Sequence, residues 1–301
     1  MKKVFKWIGI VLGSLVGLIL VLIAAFYILG SSRLNKTYTF PSDHVVVPND
    51  ADSIARGEHL TAMFCTGCHG EDLGGTENWF TDEALGRVDA PNLTSGQGGE
   101  GAEFESDEDW VRVLRHGVDP EGKPIFMPAV VGYSHLSNED LGAIIAYLKT
   151  APPVDHETEE RNFTTLAKIL VGAGQLGKLP VEAVSHNPNP PAPAAGATVE
   201  YGQYLVNVGD CSSCHGNELA GGPHPDPSVT ILAPNLTPGG ELVEWTEEDF
   251  LSFMRTGIEP DGEQMGTEYM PWKEIGLASD DELKAIFMYL QSLPKMEQVA
   301  K

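Results

Sequence analysis

The sequence predicts an all-α protein: one N-terminal membrane-spanning helix, then two tandem copies of a small helical module with long Gly- and Pro-rich loops. Three observations carry that reading. An uncharged apolar run lies near the N-terminus, a set of landmarks recurs in the same order and spacing, and each copy closes on helical periodicity. No stretch shows a convincing strand pattern.

Residues 7–29, from Trp7 to Leu29, hold no charged side chain. As a helix rising ~1.5 Å per residue, they reach about 35 Å, enough to cross the hydrocarbon core of a bilayer. A cleaved signal peptide is the competing reading. Its apolar segment is usually only about 7–15 residues and ends in small residues. This run is longer and closes on Phe26-Tyr27-Ile28-Leu29. The expected anchor is therefore residues 1–36, uncleaved and single-pass. Lys2, Lys3 and Lys6 hold the N-terminus in the cytoplasm by the positive-inside rule, which leaves the rest on the outer, periplasmic side of the cytoplasmic membrane.

Two modules are expected over residues 50–152 and 197–296, joined by a linker at 153–196. Arg56-Gly57-Glu58-His59-Leu60 and Cys65-Thr66-Gly67-Cys68-His69-Gly70 return as Tyr201-Gly202-Gln203-Tyr204-Leu205 and Cys211-Ser212-Ser213-Cys214-His215-Gly216. Ala90-Pro91-Asn92-Leu93-Thr94 returns at 233–237, and Met127-Pro128 as Met270-Pro271. The closing helices, Ser137 to Lys149 and Ser279 to Ser292, each open on a capping pattern, Ser137-x-x-Asp140 and Ser279-x-x-Glu282. Each ends near a proline, Pro152 or Pro294. The linker is expected to hold a short helix, Phe163 to Leu176, and then a stiff extended spacer, Asn187 to Pro193.

The chain carries 43 acidic and 19 basic residues, a net charge of −24. Five of the basic residues lie in the first 36, which hold no acid, so the body is more acidic still. Such a body repels phosphate, which argues against a nucleic-acid partner. It suits a basic redox partner, because complementary fields speed encounter; solubility is the plainer reading of the same charge.

Four cysteines occur, all in two Cys-x-x-Cys-His motifs, the attachment signature of c-type haem. Two cysteines three apart on one turn reach both vinyl groups of a porphyrin edge, and the next residue turns its imidazole to the iron. Other readings fit less well. A shared zinc site needs knuckles closer than these, which lie more than a hundred residues apart. A thioredoxin-like dithiol needs a βαβ context, and simple disulfides leave the paired histidines unexplained. Two covalently bound haem c groups are expected, on Cys65, Cys68 and His69 and on Cys211, Cys214 and His215.

With these motifs the modules resemble class I cytochrome c domains. The pair resembles the cytochrome c subunits of membrane-bound alcohol and gluconate dehydrogenases, although those often hold three haems. The resemblance rests on the attachment motifs, Ala90 to Thr94, Arg115-x-Gly117, Met127-Pro128, the Tyr147-Leu148 helix and their counterparts. It implies Met127 and Met270 as the second axial iron ligands, opposite His69 and His215. Met265, His59, His116, His135 and His224 are alternatives. It also implies close helix crossings at Gly57 and Gly202 against Tyr147 and Tyr289, and Pro91 beside the proximal imidazole. Arg115 and Arg255 pair either with haem propionates or in surface salt bridges. With both axial positions filled, the expected function is electron carriage at the outer membrane face, without substrate chemistry. A dehydrogenase's cytochrome subunit is the nearest alternative. A dihaem peroxidase or sulfur-compound oxidase is more distant, since it needs an iron without methionine.

Overall fold

The computed structural model describes residues 2–41, 43–186, 192–224, 229–267 and 269–299. Helix α1, Lys2–Leu34, has a mean hydropathy of 2.8 over its most apolar 18 residues and is long and apolar enough to cross a membrane. Its side chains stand exposed apart from half-buried Phe26 until Gly30 and Leu34, which are buried.

The first module runs α2 (Ala51–Phe64), α3 (Thr66–His69), β1 (Thr76–Asp82), β2 (Gly86–Ala90), α4 (Glu100–Glu103), α5 (Asp107–Val111, widening into a π turn at Arg112–His116), α6 (Val130–Tyr133) and α7 (Asn138–Leu148). The joining segment carries β3 (Asn162–Phe163), α8 (Thr165–Gly172) and α9 (Pro180–Ala183). The second module runs α10 (Val199–Val208), α11 (Cys211–His215), β4 (Gly222–Pro223), β5 (Leu232–Ala233), α12 (Glu247–Thr256), α13 (Trp272–Ile275) and α14 (Asp280–Ser292).

Each core is a crossing of first and last helix. A Cβ on Gly57 would meet the Ala143 carbonyl oxygen at 1.9 Å and one on Gly202 the Ala285 carbonyl oxygen at 1.9 Å. Only hydrogen fits there, and the Cβ atoms of Tyr147 and Tyr289 close the same crossings. The periodic positions Leu141, Ile144, Ile145 and Leu148 are buried, as are Leu283, Ile286 and Leu290. Each such side chain contributes about 1.5–3 kcal/mol by leaving water.

The all-α expectation holds for the body of both modules, with additions. Strands β1, β2 and β3 form a small antiparallel sheet, and β4 pairs with β5. They escaped the reading because β1 is broken by an irregularity and left exposed on both faces, so it shows no alternation. The linker helix is shorter than expected, since Phe163 belongs to β3 and the helix ends at Gly172. Of the expected stiff spacer, residues 187–191 lie outside the described residues. Far from being held apart, the modules touch directly: a Cβ on Gly132 would lie 2.3 Å from the Val208 carbonyl oxygen.

Both closing helices carry the expected serine caps, with Ser137 Oγ accepting from Asp140 N and Ser279 Oγ from Glu282 N. Only the second completes the reciprocal box, Ser279 N donating to Glu282 at 2.8 Å. In the first, Asp140 turns to Arg56, and Ser137 N donates instead to the Tyr204 hydroxyl of the other module at 3.2 Å.

Candidate cofactor sites

Both attachment turns follow the first helix of their module. In the first, Cys65 N donates to Thr61 O at 2.8 Å and His69 N to Cys65 O at 3.0 Å, so the two thiols and the imidazole share one helical turn. His69 Nδ1 lies 2.7 Å from Pro91 O, and His215 Nδ1 lies 2.8 Å from Pro234 O. A carbonyl only accepts, so Nδ1 carries the proton in both rings and Nε2 keeps its lone pair. Burial lowers both imidazole pKa values, against the opposing pull of those carbonyls, and this favours the neutral form. A neutral imidazole with its tautomer fixed by an outer partner is what an iron ligand requires.

The proline carbonyls are held by repeated geometry. Gly75 N donates to His69 O and Gly221 N to His215 O, each at 2.8 Å. Leu93 N donates to Leu73 O and Leu236 N to Leu219 O, again at 2.8 Å. The neighbouring asparagines do more than line a crevice. Asn92 is fully buried; its Oδ1 accepts from Thr94, and its Nδ2 donates to Val154 O at 2.7 Å. Asn235 likewise donates to Met296 O at 2.8 Å. Each module is therefore closed by the strand of chain that follows its last helix, a feature the sequence reading missed.

A cavity of about 1710 Å³ opens over the first turn, lined by Cys65, Cys68, His69, Trp79, Phe126 and Met127. It exceeds the ~300–1,000 Å³ of small-ligand clefts and suits a macrocycle. Its donor set fits haem c: two thiols on one wall, one neutral imidazole and a thioether. None of the four cysteines is in a disulfide, and among the described residues no three His, Cys, Asp or Glu side chains converge as a metal cluster would need.

Of the alternative ligands, His59, His116 and His135 do not line that cavity. His59 Nε2 is taken by Glu282 at 2.6 Å and His116 Nδ1 by His186 at 3.0 Å. In the second module Met265 N donates to Gly257 O, as Ile125 N does to Gly117 O in the first. Met265 is thus the counterpart of Ile125, and Met270, like Met127, directly precedes a proline and a short helix. His224 Nε2 lies 3.9 Å from Cys214 Sγ.

Arg115 is not a surface ion pair. It is fully buried, bonding Asp43 Oδ2 at 3.2 Å, Asn138 Oδ1 at 2.7 Å and Leu136 O at 2.7 Å, and so ties the segment after α1 to the start of α7. Arg255 makes a surface pair with Asp280 at 2.8 Å.

The modules join through residues at equivalent repeat positions. Arg56 and His59 on α2 correspond to Tyr201 and Tyr204 on α10, and Asp140 on α7 to Glu282 on α14. Arg56 pairs with Asp140 at 3.0 Å within its module and with Glu282 at 2.8 Å across the joint. His59 reaches Glu282 at 2.6 Å, and Tyr204 donates to Asp140 at 2.8 Å. Burial alone raises the Glu282 pKa; bonds from His59, Ser279 and Arg56 outweigh it and hold the group well below the usual carboxylate range. The joint brings each attachment turn against the other module: Gly67 faces the Glu274 side chain, and Asp210, just before Cys211, lies against Gly132 and lines the first cavity. Burial pushes the Asp210 carboxyl up to about 6 against the lowering effect of the Ser212 and Ser213 hydroxyls. The rim of the first cavity carries Glu100, Glu103, Asp119, Glu121, Glu157 and Glu159. Burial and then the charges of Glu103, Asp119 and Glu121 raise Glu100 to about 7.

Comparison with known proteins finds the same domain type in both halves of the chain. The family described as cytochrome C oxidase, cbb3-type, subunit III, matches residues 52–148, and the family described as cytochrome c matches residues 199–294. A dihaem c-type cytochrome from Cereibacter sphaeroides is 29% identical over 93% of this chain and 98% of its own. The cytochrome c subunit of a gluconate 2-dehydrogenase from Pantoea cypripedii is 33% identical over 31% of this chain and 22% of its own. That of a quinone-type alcohol dehydrogenase from Gluconacetobacter polyoxogenes is 26% identical over 90% of this chain, which spans 60% of that subunit.

Proposed function

The chain is a dihaem c-type cytochrome with two cytochrome c domains, each covalently carrying one haem c, and from that premise we propose that it relays single electrons between redox partners at the outer face of the cytoplasmic membrane. Cys65 and Cys68 hold one haem by thioethers, and Cys211 and Cys214 hold the other. His69 and His215 would offer Nε2 to the irons, and Met127 and Met270 would supply the thioether ligands. When bound, each haem would supply an iron that takes up and releases one electron, and a thioether from Met127 or Met270 would raise its potential.

The observation that carries this reading is the repeated pairing of a cysteine-held imidazole with a proline carbonyl, on two turns packed against one another's modules. With an imidazole and a thioether both bound, an iron would offer no site to substrate, and these residues would position and insulate rather than catalyse. His215 is buried and His69 is half-buried at the cavity wall. The ion-pair joint fixes the distance over which an electron crosses between modules. Helix α1 serves as the anchor, N-terminus inside, and the acidic rim of the first cavity suits a basic docking surface.

Detergent extraction followed by a redox titration of the visible spectrum tests the relay. Two one-electron components, each with a methionine–iron charge-transfer band when oxidised, support it. One component without that band, accompanied by peroxide turnover, transfers the chain to the enzymes. Copurification with a flavin- or quinone-dependent dehydrogenase subunit identifies it as that complex's cytochrome, the role carried by the names of its relatives.

A further inference from the structure

We propose that residues 165–178 form a hairpin inserted in the outer leaflet of the membrane beside α1, which seats the first haem module against the bilayer; the proposal rests on the membrane-anchor reading above. Helix α8, Thr165-Leu-Ala-Lys-Ile-Leu-Val-Gly172, holds one charged residue in eight. A helix apolar nearly all round belongs in a core or in a membrane. This one stands apart from the main core and buries only Ala167 and Val171, the latter in a small cluster with Leu34, Val118, Leu179 and Val181. It packs along the outer end of α1, so closely that a Cβ on Gly30 would lie 1.7 Å from the Lys168 carbonyl oxygen and one on Gly172 would lie 1.9 Å from that of Phe26.

The order of those contacts sets direction and depth. Residue 30 meets 168 and residue 26 meets 172, so α8 runs antiparallel to α1 and descends where α1 rises. Phe26 stands three residues inside Leu29, the end of the uncharged run, which is ~4.5 Å at ~1.5 Å per residue. The C-terminal end of α8 therefore reaches the hydrocarbon boundary. The chain then turns back, and Arg33 closes the loop by donating to Val171 O at 2.6 Å and Gly177 O at 3.2 Å while pairing with Glu182 at 2.5 Å. Arg33 is the first charge beyond the span, placed where an arginine reaches headgroup level.

The uncovered residues of the hairpin mix apolar Leu166 and Leu176 with polar Thr165, Gln175 and Lys178, the amphipathic make-up of an interfacial element. Leu166 is 46% exposed and Leu176 44%. By that register Leu166 falls beside residue 32, at headgroup level, while nearer the turn α1 exposes Ile23 and Tyr27, which lipid covers when α1 spans. The leucines extend that lipid-facing surface, so the occupant is lipid and not a protein. Interfacial elements bury an apolar face about 5–10 Å into the headgroup boundary, and the ~4.5 Å reached here lies at the shallow edge of that depth.

The consequence is orientation. Strand β3 pairs with β2, and Thr164 N donates to Leu85 O at 3.1 Å, so the hairpin is fastened to the first module. Leu34, Asn35 and Lys168 line the first cavity, which thus opens beside the membrane. The first haem is the one presented to a redox partner held in the same bilayer.

The test uses the full-length, haem-loaded, reduced protein in phosphatidylcholine liposomes. The native cysteines are consumed by thioethers, so a spin label attaches only to an added one: Leu166→Cys, Leu176→Cys, Ile19→Cys within the span, or Leu277→Cys on the second module. Collisional relaxation by dissolved oxygen against a water-soluble nickel chelate reads depth. Labels at 166 and 176 are expected to show an oxygen-to-nickel ratio above that of the label at 277 and below that of the label at 19, which lies ten residues inside Leu29. Nickel access at 166 and 176 with a shielded 19 overturns the hairpin and leaves the anchor standing. Nickel access at 19 as well removes the anchor itself. Protection at 166 and 176 from both reagents assigns the patch to a protein partner and overturns the lipid claim. If one variant fails to load haem, the other decides.

Discussion

Replacing Glu282 with Gln tests whether the two modules are held by the ion-pair joint. Glu282 has a side chain only 6% exposed and accepts from Arg56 at 2.8 Å, His59 at 2.6 Å and Tyr201 at 3.1 Å, while closing the Ser279 cap at 2.8 Å. Breaking a buried pair by removing one partner costs about 3–5 kcal/mol. That figure is an upper bound here, because Arg56 keeps both bonds to Asp140, at 3.0 and 3.1 Å. A glutamine oxygen also preserves part of the cap, itself worth about 1 kcal/mol. The expected loss is about 2–4 kcal/mol at pH 7, read from guanidinium unfolding of the haem-loaded protein in detergent. The pH dependence has a definite sign. The folded pKa of Glu282 is depressed, so its stabilisation is present above the unfolded value of about 4.3 and is lost as pH falls below it. The gap between wild type and variant should therefore shrink on acidification. A loss under about 0.5 kcal/mol at pH 7, the level of an ordinary surface change, refutes the reasoning, as does a gap that is unchanged at pH 3.

Tyr204→Phe removes the bonds to Asp140 and Ser137 N and should cost about 1–2 kcal/mol in the same unfolding assay; a neutral result means the joint does not use them. Met127→Ala should leave haem attached while lowering one of the two potentials by a few tenths of a volt, since axial ligands tune haem over ~0.8 V; an unchanged titration removes Met127 as a ligand. Cys65→Ser should reduce covalent haem at the first site, and two full haems by intact mass would contradict the attachment. Because Asp210 lines the first cavity with its pKa raised to about 6, its ionisation favours the ferric form, so one potential should fall as pH rises through 6, by at most about 59 mV per unit. Asp210→Asn should flatten that slope; an identical slope excludes Asp210 as its source.

The parts of this molecule legible in sequence are those whose signal is local or repeated. The attachment motifs fix three side chains on one turn, and Gly57 and Gly202 mark crossings where only hydrogen fits. The periodic Leu and Ile positions name the faces of the closing helices. Features made by distant pairing were not legible. Arg115 could be read as a surface ion pair because nothing local reveals Asp43, 72 positions away. The capping pattern at Asp140 was right for the backbone and wrong for the carboxylate, which Arg56 and Tyr204 claim from elsewhere. The joint itself left a trace: Arg56, His59, Tyr201, Tyr204, Asp140 and Glu282 all fall at aligned positions, and polar residues at matched sites of a repeat mark a shared face. Strand β1 left none, because its exposed faces impose no alternation.

The most direct measurement is the oxidised far-red spectrum of the full-length protein, taken with its intact mass. Two thioether-bound haems per chain and a methionine–iron charge-transfer band of two-haem intensity are predicted. A chain carrying both haems but only half that band, or none, contradicts the claim that Met127 and Met270 close the two sites.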